Sequence, residues 1–198
     1  MRLKKFLSFF TIIIISFLNI NYSYSIEPDV FVQSTVNRAS QALNNDNSKE
    51  DKIEKLKKIA SESVDINGIG LYTLGSYRKS ISAEQLNRYK ILFEQYFLKS
   101  FSSRLAEYSN PEIEVTKKKK INENYTIVSS ILVGTEQRPE VNIDWRIYTK
   151  ASENPLIRDL IIEGLSLART QKEEFASIIE SNDGDIEALF VTLKKFIN

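Results

Sequence analysis

The sequence predicts an α+β fold: helices first, then an antiparallel sheet of about four strands, then helices again. Three observations carry this. Apolar residues recur every three or four positions from Ile26 to about Ser109, and the period falls to two after Asn110-Pro111. Helical spacing returns after Gly164.

The N-terminus stands apart from this pattern. Arg2, Lys4 and Lys5 precede an almost unbroken apolar run from Phe6 to Leu18, and "INYSYS" ends in the small-x-small pattern Ser23-Tyr24-Ser25. That layout predicts a secretory signal peptide over 1–25, cleaved after Ser25, with a single domain over 26–198. The apolar run is short for the roughly 20 residues of a membrane span.

In the first helical region, "PDVFVQSTVNRASQAL" opens with Pro28 and Asp29 and places Val32, Val36, Ala39 and Leu43 on one side. "KEDKIEKLKKIASESV" resumes after a polar break with Ile53, Leu56, Ile59 and Ala60. "DINGIGLYTLGSYRKS" carries Gly68, Gly70 and Gly75, so its helix must be short or closely packed. Ser82 and Gln85 form a capping box ahead of the strongest helix, with Leu86, Tyr89, Phe93, Tyr96, Phe97, Phe101, Leu105 and Tyr108 along one stripe. Such a stripe is ordinary core, yet its rings are also good walls for an apolar cavity.

The strands read as "EIEVTKKK", "NYTIVSSILV", "EVNIDWRIYTK" and the first half of "LIRDLIIEGLSLARTQKEEF". The third is the cleanest, with Val141, Ile143, Trp145 and Ile147 on one face. Short links make the sheet antiparallel, one face covered by helices and the other partly wet. The fourth, with Leu160 and Ile162, holds more apolar residues than a half-buried strand needs. Helices close the chain on either side of Asn182 to Asp185.

Chemistry is read largely by elimination. The chain has no Cys and no His, which removes disulfides, thiol nucleophiles, Ser-His arrangements and imidazole metal sites. Asp144, Asp159 and Glu163 are the candidate acids and bases. For Asp144 the expected role is solvated or paired with a neighbouring strand's Arg or Lys, and for Glu163 a structural hydrogen bond at a strand-to-helix corner. No catalytic or metal-binding residue is assigned and no cofactor is expected. Without Arg2, Lys4 and Lys5, the 27 Lys+Arg of the whole chain become 24 against 26 Asp+Glu, a net −2 that offers no footprint for nucleic acid. "KKKK" at 117–120 reads as a solvated strand end or turn, with a dock for anionic headgroups or an acidic partner as the alternative. Excess apolar lining without chemistry points to binding of an apolar ligand such as a phospholipid. Burying ~15 methylenes at ~0.8 kcal/mol each needs a deep dry cavity.

Four stretches together resemble the MlaC proteins, the toluene-tolerance family: "LGSYRKSISAEQLNRYKILFEQYFLKSF" (74–101), "RPEVNIDW" (138–145), "RDLIIEGLSL" (158–167) with Asp-x-x-x-Glu-Gly-x-Ser, and the last helix over 185–194 with Asp-x-x-x-Leu-x-x-x-Leu-Lys. The resemblance implies a periplasmic phospholipid carrier, and a monomer is expected. It would pass lipid between an inner-membrane ABC transporter with an MCE-domain ring and an outer-membrane lipoprotein–porin complex, so maintaining outer-membrane lipid asymmetry. It also implies helices on a twisted sheet with acyl chains between them. Phe101 falls where the family commonly has a pocket Tyr; Val141, Ile143 and Trp145 fall on its lining strand and Leu165 on the residue after Glu-Gly. Phe93, Phe97, Val128, Leu132, Ile147, Leu160 and Ile162 complete the expected lipid-binding set, although "TIVSSILV" carries apolar residues on both faces. Pro155 and Arg158 replace positions often aromatic in the family, at the pocket rim. The rival readings are a small-molecule isomerase using Asp144 or Asp159 on a cone-shaped α+β fold, and an exported protein-interaction module.

Overall fold

The computed structural model describes residues 25–198 except 45, 137 and 152, so the expected signal peptide lies outside the described residues apart from Ser25. Among the described residues are six helices and a five-stranded antiparallel sheet. The helices are α1 (Pro28–Ala42), α2 (Lys49–Ser63), α3 (Ile66–Thr73), α4 (Ala83–Leu105), α5 (Leu167–Glu180) and α6 (Ile186–Ile197). The strands are β1 (Ile113–Asn122), β2 (Tyr125–Leu132), β3 (Val141–Tyr148), β4 (Leu156–Ile162) and β5 (Leu165–Ser166). Strand order follows chain order, so the sheet is an open meander. Among the described residues no helix is long and apolar enough to cross a membrane.

Local signals account for most helix ends. Pro28 takes the first turn of α1. Ser48 caps α2 by accepting from Asp51 N at 3.1 Å. The Ser82/Gln85 capping box forms in full, with Gln85 N to Ser82 Oγ at 3.1 Å and Ser82 N to Gln85 Oε1 at 3.0 Å. The glycine-rich α3 is both short and closely packed: a Cβ on Gly70 would lie 2.7 Å from Phe93 Cδ1.

Helices α1, α3 and α5 lie against the sheet, while α4 packs on α2, α3 and α6. The main core joins Val32, Val36, Tyr89, Phe93, Val128, Trp145, Ile147, Phe175 and Phe190. A smaller cluster of Leu43, Leu56, Ile59 and Ala106 ties the ends of α1, α2 and α4 together.

The fourth strand explains its own irregular sequence. Arg146 pairs with Asp159 but Ile147 pairs with Ile157, so Arg158 is an extra residue bulged out of the ladder. The bulge lets Ile157 and Leu160, three positions apart, face the same side. A strict alternation fails there because the strand changes phase. The helix expected directly after Gly164 is also displaced. Glu163 and Gly164 have φ of 48° and 81°, the left-handed pair of a two-residue hairpin, and Leu165–Ser166 pair with β4 before α5 begins.

Lys118 on β1 binds Glu27 Oε2 and Asp29 Oδ1 at the start of α1, at 2.5 and 2.8 Å. Its hydrogen bond holds the Asp29 carboxyl below its ordinary value of 3.8. A carboxyl with a lower pKa folded than unfolded contributes stability above the unfolded value and loses it as pH falls through the folded one. Asp29→Asn is therefore expected to flatten the fall of the urea midpoint between about pH 5 and pH 3. Denaturation curves across that range check it.

Candidate functional site

The site is built from two apolar surfaces, the helix-facing side of the sheet and the aromatic stripe of α4. On the sheet, cross-strand partners set out rows: Thr126–Ile147–Ile157, Val128–Trp145–Leu160, Ser130–Ile143–Ile162–Leu165 and Leu132–Val141. Burial falls along these rows. Val128 and Ile147 are fully buried, Ile143 and Trp145 nearly so, and Leu132, Val141, Leu160 and Ile162 only partly; Leu165 is 59% exposed.

The stripe on α4 shows the same gradient. At its N-terminal end Tyr89 is fully buried; its hydroxyl donates to Gly70 O at 3.1 Å and lies 2.9 Å from Thr73 Oγ1. Burial pushes its pKa well above the ordinary tyrosine value. Phe93 stacks on Tyr89 at 5.7 Å and meets Phe175 edge-on at 6.2 Å. Further along, Phe97 and Phe101 are half-buried and stacked on each other at 5.7 Å, their rings nearly parallel at 9°. The less buried ends coincide. Tyr108, just past α4, lies under the Arg138 guanidinium at 4.9 Å, and Arg138 belongs to the loop joining Leu132 to Val141. Phe97 and Phe101 thus share an end of the molecule with Leu132, Val141, Ile162 and Leu165. The two apolar surfaces are fully buried at one end and less buried toward the other.

The surfaces are almost purely hydrocarbon. Trp145 Nε1 donates to Ser130 Oγ at 2.8 Å, and Ser130 donates onward to Ile143 O at 3.3 Å. Among the described residues no buried side-chain polar atom lacks a partner. An incoming ligand therefore meets shape and apolar surface here, with no spare buried donor or acceptor to fix a polar group. Phe93, Val128, Ile143, Trp145 and Ile147 belong to one core cluster, with Phe97, Phe101, Leu132, Val141 and Leu160 packed against it. Two clefts mark the surface elsewhere. One of about 500 Å³ runs between α2, α3 and α4 and is floored by Val64, Gly70 and Phe93. The other, of about 580 Å³, lies between α1 and β1.

The carboxylates weighed for chemistry are placed otherwise. Asp159 is 4% exposed and accepts from Ser166 Oγ at 2.6 Å and Ala168 N at 3.0 Å, with Arg146 at 3.7 Å. It fastens the start of α5 to β4. Glu163 Oε1 accepts from the Asn142 backbone N–H and, at 3.2 Å, from its side chain, as a structural role at a corner requires. Asp144 is half-buried opposite Ser129 and Ile161 and makes no ion pair among the described residues. Arg158, expected near the rim, reaches the other side of the sheet. Its Nε binds Asp65 Oδ2 at 2.6 Å, an NH binds the Tyr125 hydroxyl at 3.0 Å, and its guanidinium lies 4.2 Å over Tyr148. Burial pulls its pKa down, but the Asp65 carboxylate and Tyr125 outweigh that and leave it raised. Pro155 is buried just before β4. The sequence reading did not single out Thr126, Ser130 and Ile157, which share the inner face; for Thr126 and Ser130 the signal was their period-two spacing with Val128.

The sequence profile of the MlaC protein family matches residues 33–195 of this chain. The chain belongs to the MlaC family. No curated protein matches it. Among solved structures, this MlaC family member is similar to a phospholipid-binding protein from Ralstonia solanacearum in complex with a phospholipid. The two are 17% identical, with a TM-score of 0.72, over 87% of this chain and 97% of the other. At that identity the likeness establishes a shared fold across most of this chain and nearly all of the other.

Proposed function

We propose that this MlaC family member is a phospholipid carrier that holds acyl chains between the inner face of β2–β4 and the aromatic stripe of α4. The observation that carries the reading is the paired gradient: two hydrocarbon surfaces, buried together at Val128, Ile147 and Phe93, become less buried toward Phe97, Phe101, Val141 and Leu165. Family membership and the Ralstonia relative's bound phospholipid support the same ligand class. A chain of ~15 methylenes gains roughly 12 kcal/mol on leaving water, enough to replace contacts between the two surfaces once they separate. The headgroup stays at the wet end, beside Leu165.

The placement of Asp159 and Glu163 supports binding without catalysis. Both carboxylates are engaged in hydrogen bonds that fasten elements together. The wider role is a monomeric periplasmic shuttle, exported by a signal peptide over 1–25. It exchanges lipid between an inner-membrane MCE-domain ABC transporter and an outer-membrane lipoprotein–porin complex. The test is transfer of a fluorescent phospholipid from donor to acceptor vesicles. A carrier accelerates it in proportion to protein concentration; a rate equal to that without protein counts against the proposal.

A further inference from the structure

β1 is an edge strand of ten residues, paired to β2 on one side. Its other side has no strand partner among the described residues. The Val115 amide points away from β2, because its acceptor is Gln33 Oε1 of α1 across a long 3.4 Å bond. Along this edge runs the 580 Å³ groove, lined by Val36, Ile113 and Val115 with Gln33, Asn37 and Ser40. Next to it stand four exposed lysines, 117 to 120. Lys118 is held by Glu27 and Asp29, whereas among the described residues Lys117, Lys119 and Lys120 make no ion pair.

A free strand edge beside a groove under a helix is the geometry in which an extended peptide adds as a strand. Main-chain hydrogen bonds supply affinity, and alternate side chains enter the groove. Charge selects the occupant. A second copy laid antiparallel over the run would set lysine against lysine, and basic residues at an edge deter such self-pairing. A flat anionic membrane fits less well, because the lysines point to both faces. Lys118 and Lys120 lie on the side of Val128 and Thr126, Lys117 and Lys119 on the side of Ser129 and Ile127. On that second side Asp144 and Asp159 stand in the same rows. We propose that the β1 edge docks an extended acidic segment of a partner protein as a sixth strand. Its apolar side chains enter the α1 groove and its carboxylates run along Lys117, Lys119 and Lys120. This surface is separate from the lipid site and does not depend on that reading.

The test selects phage-displayed random twelve-residue peptides on the protein and synthesises the winners. Enriched sequences are expected to alternate apolar residues with Asp and Glu, and to shift amide resonances of residues 111–120 and 33–40. Lys117→Glu/Lys119→Glu/Lys120→Glu should weaken them by tenfold or more. Val115→Pro should do likewise, removing the outward amide at the cost of no ladder bond. Circular dichroism checks both folds, and the lysine variant, being wholly on the surface, keeps the test alive if proline disturbs β1. The proposal is overturned by a selection without acidic enrichment, by shifts elsewhere, or by winners that bind the lysine variant undiminished. Displacement of the peptide by phosphatidylglycerol vesicles would overturn it in favour of a membrane contact.

Discussion

Leu165→Glu and Val141→Glu are expected to emerge from purification without bound phospholipid while keeping native circular dichroism. Both residues lie on the helix-facing side of the sheet at its less buried end, Val141 half-buried and Leu165 mostly exposed. At exposed Leu165 a glutamate costs the fold little, because its carboxylate reaches water in the lipid-free protein and such surface changes usually stay within about 0.5 kcal/mol; at half-buried Val141 it costs more. With an acyl chain present, the same carboxylate is forced against hydrocarbon. Burying an unpaired charge costs several kcal/mol, and each 1.4 kcal/mol is tenfold in affinity, so lipid retention should fall by roughly 100-fold or more. Lipid masses retained by both variants would show that the chain lies elsewhere.

Phe93→Ala and Phe101→Ala should separate folding from binding, although the two rings sit on one stripe of one helix. Phe93 is buried among Tyr89, Phe97 and Phe175, and Gly70 is shaped to fit beside it. Removing it leaves a cavity that surrounding elements cannot close, at a cost of about 3–5 kcal/mol. Against a typical total of ~5–15 kcal/mol that is a large share, and at ~2–4 °C per kcal/mol the melting temperature should fall by roughly 10 °C. Phe101 is half-buried at the less buried end, so its loss should cost stability far less but remove one wall of the lipid site. Thermal melts with lipid extraction check the split. Equal destabilisation by both would mean that the whole stripe is plain core.

Much of this was legible in the chain itself, for identifiable reasons. The Ser82/Gln85 box and the spacing of Tyr89, Phe93, Phe97 and Phe101 are local signals, and both formed as spelled. Val141 to Ile147 alternate without interruption and make the strand that organises the sheet. What was hidden depends on pairing. The bulge at Arg158 is a mismatch between two strands, and no property of "LIRDLI" alone places it. Asp159 looks like a surface residue until Ser166 and Ala168, from the next elements, close over it. Leu165–Ser166 is a strand because β4 offers it an edge, not because two residues can carry a period. The apolar excess in the sequence marks both surfaces, while the gradient of their burial emerges only once sheet and helices pack.

Whether those surfaces hold lipid decides the function. Native mass spectrometry of the protein, purified without added lipid and under gentle conditions, tests this most directly. Lipid carriage predicts a bound species heavier than the protein by the mass of a phospholipid, released on activation and absent from Leu165→Glu. A protein that is consistently empty, in preparations where the fold is intact, would contradict it.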